Sequence, residues 1–244
     1  MPNNIKFETG EIYHVYNRGV EKRDIYVDRS DYFRFISSLY ECNDENAVVM
    51  QERIKERIRR NQTKNSLNSQ GRTYEREPLI ELLAFTLMPN HYHLIVRQLA
   101  DGGISLFMKK LGNAYVPYFN YKYERKGMGS IFQGKFKAVH AETDEQFIYL
   151  VWYVFTNALD LLEKNWREDG IKNIKRAINH MNSYKWSNYL DCIGIKNFPS
   201  VTNRDFLMDN FGGEEGIKQF IEERIIDSEK AKNSLLKTKS LTLE

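Results

Sequence analysis

Two rhythms of apolar and polar residues follow one another along the chain. "GEIYHVYNRGV" (10–20) is a β-rich run broken by Gly19, and "SDYFRFISSLYEC" (30–42) then carries apolar residues at helical spacing behind Ser30, a candidate N-cap. Asn43 to Pro78 is polar and charged. Here "QERIKERIRRNQTKNSLNSQGRTYERE" reads as a short basic helix running into an Asn/Ser/Gln-rich tract, an insertion expected to be partly mobile. "LIELLAFTLMPNHYHLIV" predicts two strands joined at "MPN", "SLFMKKLGNAYVPYFNYKY" a helix despite Pro117, and "SIFQGKFKAVHA" a further strand. Helical periodicity resumes in "TDEQFIYLVWYVFTNAL", where Thr143 and Gln146 have the spacing of a capping box.

The order strand, helix, strand, strand, helix, strand is the ferredoxin-like split β-α-β arrangement. The expected fold is therefore α+β, an antiparallel sheet with helices on one face, closed by one more helix. Past Trp166 come helices and loops without repeats, ending in the charged "EEGIKQFIEERIIDSEKAKNSLLKTKS". The expected organisation is a main domain over 1–166, interrupted at about 43–78, and a helical extension over 167–244.

With 244 residues, 41% of them hydrophobic, one sizeable core is affordable. No run approaches the roughly 18 uninterrupted apolar residues of a membrane span. The first residues also lack the basic-then-apolar layout of a signal peptide, so the cytoplasm is expected. Cys42 and Cys192 lie far apart, which suits a reducing compartment and argues against a disulfide framework or zinc cluster.

The net charge of +3 excludes little, but its distribution is uneven. From Lys109 to His140, Lys109, Lys110, Lys122, Arg125, Lys126, Lys135 and Lys137 face Glu124 alone, interleaved with Tyr115, Tyr118, Phe119, Tyr121, Tyr123, Phe132 and Phe136. Cations for phosphates and rings for bases suit single-stranded nucleic acid. An ordinary basic helix with a core face reads the same way.

"MPNHYHLIV" places two of the five histidines one residue apart. On a strand His91 and His93 share a face, about 6–7 Å apart, and can hold one metal ion between them. Two ligands are too few for a stable site, and an isolated His-x-His is more often a pair of satisfied core or surface histidines. In "FIYLVWYVFTNAL", Tyr149, Tyr153 and Asn157 recur at i, i+4 and i+8 on one helical face. If that face lies over the histidines, the Asn157 carbonyl oxygen can reach the metal and Tyr153 a phosphate held on it; otherwise the tyrosines are core aromatics.

In combination, His-hydrophobe-His after "MPN", the "GKFK" strand and Tyr-x-x-x-Asn resemble the single-tyrosine HUH transposases of bacterial insertion sequences, the IS200-like superfamily. "YHVYNRG" and "SYKWSNY" resemble the REP-associated tyrosine transposase branch, and the likeness spans roughly Glu11 to Tyr189. The resemblance implies a divalent metal on His91 and His93, Tyr153 as nucleophile, and Asn157 completing the metal site. This chain has Asn157-Ala158 where the family often has Asn-Pro, which removes no ligand. Tyr149 is the alternative nucleophile, disfavoured because only Tyr153 has the asparagine four residues on. The insertion maps onto nothing in the family pattern.

Two imidazoles and an amide are neutral, so Mg²⁺ or Mn²⁺ would bind weakly until DNA phosphate adds charge, and Mn²⁺ tolerates nitrogen better. The expected activity is cleavage and rejoining of single-stranded or hairpin DNA through a 5′-phosphotyrosine. A catalytically silent, domesticated binder of hairpin DNA or RNA is the alternative, and a hydrolytic nuclease a third. Asn17, Arg18, Lys109, Lys110, Arg125, Lys126, Lys135 and Lys137 are the expected DNA contacts. His14 is either near the site or a core residue, and His140 a candidate substrate contact. A homodimer is preferred over a monomer, and no membrane partner is expected.

Overall fold

A computed structural model describes residues 5–46 and 76–241 of the chain. Strands β1 (Ile12–Arg18), β2 (Ile80–Met88), β3 (His91–Gln98) and β4 (Lys137–His140) form one sheet in the order β2-β3-β1-β4, every neighbouring pair antiparallel. Helix α1 (Arg29–Glu41) connects β1 to β2, and α2 (Gly103–Lys122) connects β3 to β4. This is the split β-α-β order, and the two crossover helices share one face of the sheet. There Tyr13, Val15, Tyr92 and Leu94 pack with Phe35 and Leu39 of α1 and with Phe107 and Tyr115 of α2.

The opposite face is covered too. Helix α3 (Asp144–Thr156) sets Val151, Val154 and Phe155 against Leu83, Ala84 and Ile95 of the sheet. At about 1.5–3 kcal/mol per buried large aliphatic or aromatic side chain, these contacts fix α3 firmly over β2 and β3. The same core takes in Trp166, Tyr189, Leu207, Ile217 and Ile221 from the C-terminal region. That region contributes α4 (Trp166–Asp169), α5 (Ile174–Met181), α6 (Tyr189–Cys192), α7 (Asp205–Phe211) and α8 (Gly213–Leu241). It also closes the outer edge of β2: Leu87 N–H donates to the Trp186 carbonyl (2.8 Å), Thr86 bridges Ser187, and the buried Asn188 amide takes Phe85 N–H (2.7 Å) and donates to the Leu83 carbonyl (3.1 Å).

Three local features differ from the pattern-based expectation. Asp28, not Ser30, caps α1: its carboxylate accepts the Ser30 and Asp31 amides, and Asp31 accepts the Asp28 amide in return. A carboxylate two residues earlier outcompetes the serine because it meets two amides at a positive helix end. Lys122, at the end of α2, binds Asp28, Asp31 and Ser30 together. At α3, Thr143 accepts the Gln146 amide as expected, but the Gln146 side chain turns to the Glu142 amide (2.7 Å). Finally, the last strand is shorter than "SIFQGKFKAVHA". Only Lys137–His140 pairs with β1, while Phe132 makes a lone bridge to Gly19 and Lys135 precedes the strand.

The basic helix and the Asn/Ser/Gln-rich tract expected in the insertion lie outside the described residues. Its stems are pinned to each other, since Glu45 N–H donates to the Glu77 carbonyl and the Asn43 amide pairs twice with the Ile80 backbone. Among the described residues, no helix is long and apolar enough to cross a membrane.

Candidate active site

Strand alternation selects the site. With Tyr13 and Val15 turned toward α1 and α2, His14 and Tyr16 of β1 turn toward α3, and across the ladder Tyr16 pairs with His93 and Arg18 with His91. Four rings cluster there. His14 and His93 stack with centroids 5.0 Å apart, His91 meets His93 edge-on at 5.0 Å, and Tyr16 stacks on His14 at 5.0 Å.

Both histidines of the His-x-His pair are held through Nδ1. His93 Nδ1 lies 2.8 Å from His14 Nε2, and His91 Nδ1 lies 2.6 Å from the Asn90 side-chain oxygen, whose own amide donates to the Lys22 carbonyl (3.1 Å). Holding Nδ1 leaves Nε2 of each ring as the available ligand atom, the arrangement that second-shell partners impose on metal-binding histidines. Burial pushes the His14 and His91 pKa values down to about 4; it also holds His93 well below the ordinary imidazole value, helped by the neighbouring His14, His91 and Arg167. The imidazoles are therefore neutral, as ligation requires. Among the described residues, no group of three or more His, Cys, Asp or Glu converges as a metal cluster. The donor set on offer is thus two imidazoles plus neutral or substrate oxygens, which suits an ion completed by phosphate.

Helix α3 brings Tyr153 to the pair. Its ring stands edge-on to His93 at 5.4 Å and to His14 at 5.8 Å. Tyr149, one turn earlier, is 51% exposed; its ring contacts are with Trp152 and Tyr153, not with a histidine. Burial raises the Tyr153 pKa while the Arg167 guanidinium, 4.9 Å above its ring, acts in the opposite direction. Asn157 lies past the end of α3, where the chain tightens into a 3-10 turn (Asn157–Leu161). It is buried, and its side-chain N–H donates back to the Tyr153 carbonyl (2.7 Å). The helical face expected to carry Tyr149, Tyr153 and Asn157 therefore ends in a residue tied to the backbone of Tyr153.

Of the expected DNA contacts, Asn17 and Arg18 sit at the histidine end of β1. Asn17 donates to the Gly134 carbonyl (3.0 Å) and Arg18 to the Gln133 side chain (2.5 Å), tying the "FQGK" loop to β1. Lys137 pairs with Tyr16 and so shares the histidine face, while Lys135 is exposed in the loop before it. Lys109 and Lys110 belong to α2 on the other face, where Lys110 is taken up by the carbonyls of Asp44, Glu45 and Asn46. Arg125 and Lys126 follow α2, Arg125 lying over Phe119. His140 also faces away from the site, stacked on Tyr13 and bonded to Glu11 (2.8 Å). Sequence reasoning passed over Asn90, Tyr16, Asp160 and Arg167. Only Asn90 carried a signal, as the residue directly before the His-x-His pair.

Residues 40–157 match the family model described as "Transposase IS200 like". That segment contains His91, His93, Tyr153 and Asn157, whereas β1 with His14 precedes it. No curated protein matches the chain. A solved structure of a REP-associated tyrosine transposase bound to a REP hairpin is similar at 12% identity and a TM-score of 0.46, over 84% of this chain and 92% of that one. Residues 40–157, just under half of the chain, thus carry the sequence pattern of the IS200-like transposases.

Proposed function

We propose that the protein is a transposase that cuts and rejoins single-stranded or hairpin DNA through a tyrosine–DNA intermediate. The observation that carries this reading is the placement of Tyr153, rather than Tyr149, against His93 and His14. The Tyr153 hydroxyl oxygen attacks a backbone phosphorus, the bond from phosphorus to the 3′-oxygen breaks, and a 5′-phosphotyrosine remains. The phenol gives up its proton and the departing 3′-oxygen leaves as a hydroxyl. The new phosphodiester keeps the energy of the old one. Rejoining to another 3′-end then needs no ATP, consistent with a sequence that lacks a G-x-x-x-x-G-K-[ST] phosphate loop.

A phenol with a pKa near 10 is only about one part in a thousand ionised at pH 7. His91 and His93, through Nε2, together with the Asn157 oxygen, are the residues that would hold Mg²⁺ or Mn²⁺. Bound there, the ion would polarise the phosphate and neutralise charge growing on its oxygens. The chain's own groups prepare the rest: His14 and Asn90 orient the two imidazoles, and Arg18 and Lys137 stand where DNA phosphates would run.

The test mixes labelled hairpin DNA with the protein and Mn²⁺ or Mg²⁺, and looks for a covalent adduct on a denaturing gel. The expected result is a metal-dependent band that Tyr153→Phe abolishes and Tyr149→Phe leaves. A band that survives Tyr153→Phe overturns the assignment. Hairpin binding without a band, across varied substrates and both metals, would instead favour the silent DNA- or RNA-binding relative.

A further inference from the structure

Arg167 sits outside the matched family segment and directly on Tyr153. Its guanidinium carbon lies 4.9 Å from the Tyr153 ring centre, 4.7 Å from that of Trp166 and 5.9 Å from that of Trp152. The local chain explains how it gets there. Asn165 adopts a left-handed conformation (φ 59°), which turns the chain back after the 3-10 segment, buries Trp166 and directs the next residue onto α3. Asp160 then fixes the group, since one oxygen accepts both Arg167 Nη1 (2.6 Å) and Trp166 Nε1 (2.8 Å).

The guanidinium is only partly used. Nε and Nη2 of Arg167 are shielded from solvent and have no hydrogen-bond partner. An unpaired donor held in such surroundings costs roughly 1–3 kcal/mol, more when it is charged, and native proteins seldom tolerate it without reason. Arg34, Arg76 and Arg125, which also lie over aromatic rings, each leave one shielded nitrogen unpaired, whereas Arg167 leaves two, the whole of one edge. Nε and Nη2 also form the guanidinium edge whose two parallel N–H bonds match two oxygens of a phosphate. The rings of Tyr153, Trp166 and Trp152 lie around the guanidinium. The side chain retains 23% exposure and its guanidinium lies over the Tyr153 ring, where a backbone reaching that residue would pass.

We propose that Arg167 is a catalytic residue that binds the non-bridging oxygens of the scissile phosphodiester through Nε and Nη2 while Tyr153 attacks the phosphorus. This rests on Tyr153 being the nucleophile. Arg167 exchanges no proton: it holds the phosphate and stabilises the charge gathering on its oxygens as the bond to Tyr153 forms and the bond to the 3′-oxygen breaks. Asp160 is a positioning residue that acts through Arg167.

The experiment measures the single-turnover rate of adduct formation on one hairpin for the wild type, Arg167→Met and Arg167→Lys, with hairpin affinity measured in a Tyr153→Phe background. Arg167→Met should slow adduct formation on the order of a hundredfold, the scale for losing one preorganised donor to a developing oxyanion. Affinity should change by no more than about threefold, because one contact among many is lost, and Arg167→Lys should recover part of the rate. A second substrate carries a methylphosphonate of defined stereochemistry at the scissile position. Each diastereomer lacks one of the two oxygens that Arg167 binds, so on both of them Arg167→Met should slow the reaction clearly less than on the natural phosphate, since part of the contact is already absent.

Equal slowing of the phosphate and both methylphosphonates would reduce Arg167 to a structural role and overturn the proposal. So would an unchanged rate in Arg167→Met with an adduct that depends on Tyr153, and in that case the proposed function stands. An adduct that persists in Tyr153→Phe, or the absence of any adduct in the wild type, overturns both.

Discussion

His14 Nε2 lies 2.8 Å from His93 Nδ1, so a residue on β1 determines which nitrogen of the His-x-His pair faces α3. For His93 to offer Nε2 as a ligand, its Nδ1 must carry the proton and donate it to His14. Replacing that acceptor with a ring that cannot accept should free His93 to adopt the wrong tautomer. In His14→Phe, Mn²⁺ affinity in the presence of hairpin DNA should fall by about 10- to 100-fold, the usual scale for outer-shell partners. His14→Gln, whose amide oxygen has a similar reach, should lose much less. Calorimetric titration of both variants checks this, and equal losses would count against the tautomer argument.

Burial of three histidines has a consequence for stability without metal. His14 and His91 titrate at about 4 when folded, and His93 is likewise held well below its ordinary value, against 6.5 when exposed. Because their folded pKa values are depressed, their contribution is complete above 6.5. It is lost progressively as pH falls toward 4, since the unfolded chain takes up protons that the folded one refuses. The urea midpoint of metal-free protein should therefore fall across this window, and fall less steeply in His14→Phe.

A second acid-sensitive element lies at the start of α1. Burial alone would raise the Asp31 pKa, but the Lys122 ammonium, the Tyr123 hydroxyl and backbone amides hold it below the usual carboxylate value. Its contribution is present above about pH 4 and is lost as pH drops through the depressed folded value. Lys122→Met leaves this buried carboxylate without its cation. The expected cost is about 3 kcal/mol, or roughly 6–12 °C in Tm for a chain of this size, and differential scanning calorimetry at pH 7 would read it.

Asn157 should matter for stability as well as chemistry. Its side chain holds the Tyr153 carbonyl from a buried position at the end of α3. Asn157→Ala should cost about 0.5–1.5 kcal/mol by removing that one bond, the carbonyl keeping the backbone N–H of residue 157 as its partner, and should also slow adduct formation. Full stability in Asn157→Ala would show that the amide contributes nothing to the helix end.

The parts of this fold legible in sequence were those with a period. Alternation in "HYHLIV" places His91 and His93 on one face, and the four-residue spacing of Tyr149, Tyr153 and Asn157 orders them along one helix. Contacts set by tertiary approach were not legible. His14 meets His93 only because β1 pairs with β3 in one particular register, 79 residues apart in sequence. Arg167 reaches Tyr153 through a left-handed turn at Asn165 that no periodicity announces. The cap of α1 was misplaced because Ser30 and Asp28 are both good capping residues, and the carboxylate has Lys122 behind it.

The strip from Tyr184 to Asn188 laid along β2 also constrains how molecules can join. Its hydrogen bonds occupy the backbone of one rim of the sheet, so an incoming strand finds no template there. The opposite rim is β4, only four residues long. If two copies associate by extending their sheets, the register is confined to Lys137–His140, and with it the distance between one copy's histidines and the other's Tyr153.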